Sequence, residues 1–142
     1  MDQKRIKRLL DLKRRLEKVK KGEVVEARQE LDAAQQRLLA AEREQQQRLC
    51  DLQGDNSLSI DELADRARFV VLAGQAVGQA RDAVCKHDEI VAEREEARVA
   101  ATRDVRTFEL LDERKKEERR VVDKRLEQGA ADEVAGSRRS RS

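Results

Sequence analysis

The chain has no tryptophan, tyrosine or proline, and only two phenylalanines, Phe69 and Phe108, among 142 residues. So few aromatics exclude a thick globular centre, because aromatic side chains carry much of the area such centres bury. Without proline, nothing in the backbone chemistry forces a helix to break. No apolar run approaches the about 20 residues that span a bilayer, and the basic start MDQKRIKRLL is not followed by the apolar segment of a signal peptide. These absences predict a cytosolic protein in which Cys50 and Cys85 are reduced thiols.

What the chain has is charge. Asp, Glu, Lys and Arg make up 44% of it, yet the net charge is only +2. High charge with few aromatics accompanies disorder in many chains, but here the signs are mixed and the apolar residues periodic, which favours ordered helix. Richness in Ala, Glu, Lys, Leu and Arg is the composition of coiled coils. The charge is also unevenly placed. Residues 1–21 carry ten basic and three acidic side chains, residues 22–112 twelve and twenty, and residues 113–142 ten and seven. Basic ends around an acidic middle steer acidic partners to the ends.

Apolar residues step by three and four from Ile6 through Leu9, Leu12, Leu16 and Val19, then Ala27, Leu31, Ala34, Leu38 and Ala41, then Leu49 and Leu52. Such steps draw one stripe along a helix, predicted over about 2–52. Between Val19 and Leu31 the stripe passes Glu23 in three successive steps of four. That pattern predicts a stutter beside Gly22, a local unwinding of the supercoil. Residues 53–59, QGDNSLS, form the clearest break, with Gly54, Asp55 and Asn56 as turn formers. Ser59 followed by Glu62 fits a capping box, and Ser57 is the alternative cap.

A second helix is predicted over about 60–128. Leu63, Val70, Val77, Val84, Val91 and Val105 recur at multiples of seven, with Arg98 interrupting. Ala73, Ala80, Ala101, Phe108 and Val122 share the face. Gly74 and Gly78, among Ala73, Ala76 and Ala80, form a small-residue patch where a second backbone or a partner fits. After Leu111 the seam fades into ERKKEERRVVDKRLEQ, and residues 129–142 read as a disordered basic tail. Two helices joined by a short turn pack antiparallel. The expectation is therefore one all-α coiled-coil hairpin over 1–142, with helix 2 overhanging. If Leu52 faces Ile60, Met1 lies beside Leu111.

Chemistry is poorly supported. Cys85 and His87 are two residues of the metal-ligating type where zinc wants four, so no metal or cofactor is expected, and His87 reads as a solvated helix residue. The carboxylates lack the concave site that perturbs acids and bases, and GQAVGQA lacks the lysine of a phosphate loop. No enzyme activity is expected. The tail SRRSRS suggests RNA, but there is no aromatic platform on which bases stack, and nucleic acid is not an expected partner. Residues 1–21 hold apolar residues among basic ones, as membrane-surface helices do. Because the same leucines serve the seam, no direct lipid insertion is expected. A plain scaffold coiled coil is the main rival reading, RNA binding the lesser one.

One resemblance adds to this. The basic start RIKRLLDLKRR, the seam of Ala27, Leu31, Ala34, Leu38 and Ala41, the polar turn, the longer second helix and the end RRVVDKRLEQGAADEVAGSRR together resemble the FliJ family of flagellar export proteins. They are also similar to the stalk proteins of virulence-type type III secretion; RLLDLKRR and DEVA lean toward the flagellar side. The resemblance implies a cytoplasmic, monomeric hairpin without activity of its own, placed peripherally at the inner face of the cell membrane. Its implied partners are a hexameric export ATPase, a membrane export gate protein and export chaperones. The ATPase contact maps onto Arg5, Lys7, Arg8, Leu9, Lys13 and Arg14, and onto Arg119, Arg120, Asp123, Lys124 and Arg125. The gate contact maps onto Phe69, Ala73, Ala76 and Ala80. On helix 1, some members carry tyrosines where this chain has Glu44 and Arg48.

Overall fold

A computed structural model describes residues 2–54 and 57–141. The turn formers Asp55 and Asn56 lie outside the described residues, as do Met1 and Ser142. Two helices make up the chain, α1 (Gln3–Gln53) and α2 (Ile60–Ser140), packed against each other as an all-α helical hairpin, with no strand among the described residues.

Local chemistry sets the helix ends. Ser59 and Glu62 form the capping box reciprocally: the Glu62 N–H donates to Ser59 Oγ at 3.3 Å, and the Ser59 N–H donates to Glu62 Oε2 at 3.4 Å. Asp61 and Glu62 in the first turn, and Arg138 and Arg139 in the last, suit the macrodipole of α2. At the end of α1 the Gly54 N–H donates to the Cys50 carbonyl at 2.9 Å. A Cβ on Gly54 would sit 3.0 Å from that same oxygen, so the chain closes there most easily without a side chain.

Helix α2 runs to Ser140, past the end expected at about 128, so residues 129–140 are helix and not the expected disordered tail. Composition explains this. There is no proline, Ala130, Ala131, Glu133 and Ala135 are good helix formers, and each of Gly129 and Gly136 costs only about 1 kcal/mol.

The packing divides into two compact units, Met1–Lys18 with Val99–Ser142, and Val19–Arg98. In both, α1 turns inward at alternating steps of four and three. The inward residues are Ile6, Leu10, Lys13 and Glu17 in the first unit, and Lys20, Val24, Ala27, Leu31, Ala34, Leu38, Ala41, Gln45, Arg48 and Leu52 in the second. This is an unbroken heptad, and the expected stutter is absent. Lys13, Glu17 and Lys20 occupy seam positions that a search for apolar residues passes over. The expected seam residues Leu12, Leu16 and Val19 stand outside it, 60%, 41% and 56% exposed. Gly22 lies on the outer face with nothing near its missing Cβ.

On α2 the seven-residue row continues inward from Val70 to Val105, with Ala73, Val77, Ala101 and Val105 buried. Arg98 sits in that row, half-buried. Asp112 also occupies it and is buried, 7% exposed. Its Oδ2 lies 3.1 Å from Lys116 Nζ, while its Oδ1 has no hydrogen-bond partner. Leu63, expected to begin the row, is exposed, as are Ile60 and the rest of the first turn.

The pairing register differs from the expected one by about one heptad. Facing residues have numbers adding to 117, as for Lys13 with Asp104, or to 123, as for Arg14 with Glu109. Leu9, not Met1, is thus level with Leu111. The cause is the exposed first turn of α2, which projects beyond α1 so that pairing begins at Arg66. Its guanidinium donates to the Asp51 carbonyl at 2.8 Å.

Two rows of ion pairs flank the seam. One row carries Arg14–Glu109 in the first unit, with Arg28–Glu95 and Arg81–Glu42 in the second, at 3.5 to 3.7 Å. The other carries Lys13–Asp104 in the first unit and Arg94–Glu23 in the second, at 3.4 and 3.6 Å, with His87 Nδ1 3.9 Å from Glu30 on the same side. Each exposed pair contributes at most about 1 kcal/mol. Together they favour the antiparallel register, because a slip of one heptad would leave them unmatched.

Candidate functional site

The residues tied to the ATPase all lie in the first unit. Arg5, Lys7 and Arg8 are exposed on α1, and none carries an ion pair among the described residues. Leu9 is half-buried beside them. Lys13 and Arg14 are engaged in the cross-helix pairs already described. On α2, Arg119 donates to Gln3 Oε1 at 3.0 Å, and Arg120 pairs with Glu117 at 3.4 Å. Asp123, Lys124 and Arg125 are exposed.

No described α1 residue lies opposite α2 beyond Arg119. The inward face of α2 continues there through Val122 and Leu126, 52% and 67% exposed. Beside it runs a shallow groove of about 480 Å³ lined by Arg114, Glu117, Glu118, Val121, Val122 and Arg125. The arrangement is an uncovered coiled-coil face edged with charges of both signs, which suits another helix or a ring of loops.

The residues tied to the gate all lie in the second unit and do not share one surface. Ala73 is buried and Ala80 half-buried against α1, whereas Ala76 and Phe69 stand at the flank. The Phe69 ring is 46% exposed, and the Arg48 guanidinium lies 4.9 Å from its centre, within cation–π reach. Arg48, Asp51, Arg66 and Phe69 line a cleft of about 370 Å³. Arg48 also donates to Glu44 at 2.8 Å, and Asp51 accepts from Gln47 at 3.0 Å. Val71 and Leu72 extend the exposed apolar surface, 59% and 51% exposed.

Sequence reasoning missed Asp51 and Arg66, whose relation to Phe69 depends on the register. Arg48 it had noted only as a departure from the tyrosine-bearing members. The small-residue patch does not bring the two helix backbones together. Gly74 meets the Gln45 side chain at 3.7 Å from a hypothetical Cβ, and Gly78 faces open space.

A polar cluster in the second unit involves Arg28, Glu95 and Arg98. The Arg98 Nε–H donates to Glu95 Oε1 at 2.9 Å, and Arg28 approaches Oε2 at 3.6 Å. The hydrogen bond from Arg98 is the main reason the Glu95 carboxyl is held below its ordinary pKa. The charges of Arg98 and Arg28 act in the same direction, against the opposing effect of burial. His87, expected on a solvated face, is half-buried at the seam, with Nδ1 3.9 Å from Glu30. Among the described residues no group of three or more His, Cys, Asp or Glu could hold a metal, and no helix is long and apolar enough to cross a membrane.

The fold and these surfaces define a class: a two-helix coiled coil that presents side chains along its flanks and at an uncovered helix end. The family of flagellar FliJ proteins matches residues 2–142, and the chain belongs to that family. Neither the curated proteins nor the solved structures compared with it give a match. Membership makes the chain a component of the flagellar protein-export apparatus, within a family of structural export proteins.

Proposed function

We propose that this protein is the stalk of the export apparatus. As a cytoplasmic monomer held peripherally at the inner face of the membrane, it docks in the hexameric export ATPase and couples that ring to the export gate, with export chaperones as further partners. The first unit supplies the ring contact. The observation that carries this reading is the uncovered inward face of α2 at Val122 and Leu126, in the same unit as the unpaired cations Arg5, Lys7 and Arg8. A helix face built to be covered, with charges beside it, is suited to a protein partner.

In this reading Arg5, Lys7, Arg8, Leu9, Lys13 and Arg14 meet the ring together with Arg119, Arg120, Asp123, Lys124 and Arg125. Phe69 and Ala76, with Arg48 beside the ring of Phe69, meet the gate. Ala73 and Ala80 hold α2 in place beneath them.

The test is an ATPase assay with the cognate hexamer. The full chain raises turnover, and a chain lacking residues 113–142 does not. Equal stimulation by both would remove the docking proposal. A pull-down of the gate's cytoplasmic part should fail with Phe69→Ala while ATPase stimulation persists.

A further inference from the structure

Leu9, Leu12 and Leu16 lie on the outer flank of α1 in the first unit. Leu9 is half-buried, Leu12 and Leu16 are 60% and 41% exposed, and α2 covers none of them fully. Steps of three and four put the three in one line, displaced from the true seam of Ile6, Leu10, Lys13 and Glu17. The register sets Leu9 level with Leu111. On α2, Leu111 and the 48% exposed Leu110 line a recess of about 260 Å³ with Thr107 and Arg114. Leu111 lies on the flank of α2 that carries Asp104, the partner of Lys13 at 3.4 Å, so it shares a flank with the leucine line of α1, while Leu110 opens onto the outer side of α2.

Cations edge this band on both sides. Arg5, Arg8 and Arg15 follow it on α1, and Arg103 and Arg114 on α2. All five are exposed, and none makes an ion pair among the described residues. Lys4 and Lys18 lie further out on α1, with Asp11 as the acidic residue among them. A leucine band with unpaired arginines along both edges is the pattern of a helix surface that lies in the headgroup region of an anionic bilayer. Four to eight basic side chains is also the usual content of a site for acidic lipids. Mobile anionic headgroups could satisfy every one of these cations at once. A protein partner would need a carboxylate matched to each, and the shallow recess offers no groove to hold a helix in register.

We infer that the Leu9–Leu12–Leu16 flank of the first unit, with Leu111, is an adsorption surface for anionic lipid headgroups. This surface shares Leu9, Arg5 and Arg8 with the residues assigned to the ATPase but not the uncovered α2 face at Val122 and Leu126, and the inference does not depend on that assignment.

The test is co-sedimentation of the full-length protein with vesicles of phosphatidylcholine containing about 30% phosphatidylglycerol, against phosphatidylcholine alone. Binding is expected only with the anionic vesicles, and it should weaken steeply with added salt. The double variants Arg15→Glu with Arg103→Glu, and Leu12→Ser with Leu16→Ser, should each lower affinity at least about tenfold. None of these four residues belongs to the proposed ATPase contact, so both variants should still stimulate the ATPase. If a double variant melts early, the single variants Arg15→Glu and Leu12→Ser, both at exposed positions, take its place. Failure of the wild-type protein to bind anionic vesicles overturns the proposal, as does undiminished binding by both variants. Binding to helical polyglutamate but not to vesicles would overturn it in favour of an acidic protein.

Discussion

Asp112 gives the sharpest test of the seam. It stands where the row of Val70, Val77, Val84, Val91 and Val105 would place a valine, at a level near Ile6 and Leu10. It is buried, and one carboxylate oxygen has no hydrogen-bond partner. Lys116 reaches the other oxygen at 3.1 Å but is itself half exposed to water. An unsatisfied buried acceptor costs about 1–3 kcal/mol. Burying a valine side chain at the same place gains about 1.5 kcal/mol, and losing the i,i+4 pair costs about 0.5 kcal/mol at most.

Asp112→Val should therefore stabilise the protein by about 2–4 kcal/mol. For a chain of this length that raises the melting temperature by about 6–12 °C. Asp112→Asn, which leaves a polar group in the seam, should stay close to wild type. The assay is thermal unfolding followed by circular dichroism at neutral pH. If Asp112→Val melts at or below the wild-type temperature, the carboxylate is compensated in solution and the account of the seam is wrong. The same variant should also tolerate register slip more readily, since polar seam residues often specify alignment at the expense of stability.

Val77→Asp should cost about 3 kcal/mol or more, because Val77 is 3% exposed, and Val84→Asp less, because Val84 is only half-buried; thermal melts rank the two, and equal melting temperatures would refute the burial difference. Spin labels at positions 9 and 111 should lie closer together than labels at 9 and 103, by pulsed distance measurement; the reverse order would restore the register expected from sequence. Glu95 titrates below its ordinary value, so the folded state binds its proton less readily than the unfolded chain does. Its contribution is complete above the unfolded value of about 4.3 and is lost as pH falls through the folded value. Glu95→Gln should therefore narrow the stability gap between pH 7 and pH 3, and an unchanged gap would show that the Arg98 contact is not formed in solution.

Helix content, the break after Gln53 and the Ser59–Glu62 cap were legible in the sequence because each rests on local chemistry. The valine row was legible because β-branched residues recur every seven positions from Val70 to Val91 and again at Val105. The register was not. It depends on how far the first turn of α2 projects, and Ile60 and Leu63 are apolar enough to suggest burial where they have none. The inward face of early α1 was misread for a related reason. Leu9, Leu12, Leu16 and Val19 form a cleaner apolar line than the true seam, whose positions hold Lys13, Glu17 and Lys20. Two stripes were merged into one, and the mismatch where they cross looked like a stutter. The candidate surfaces were legible as charged or aromatic residue types. Which of them face outward was not, since Ala73 and Ala76 differ only by their angle around α2.

Beyond Arg119, α2 has no neighbour among the described residues of α1, and its turns rely on alanines and on pairs such as Arg120–Glu117 within the same helix. A lone helix of that length is marginal in water, melting and re-forming within about a microsecond. Warmth and salt should thus unzip this end first, long before the rest of the molecule responds. A partner arriving there would meet a segment already sampling its bound form, so little ordering entropy would be lost on capture, and the final turns of α2 would act as a quick-setting latch.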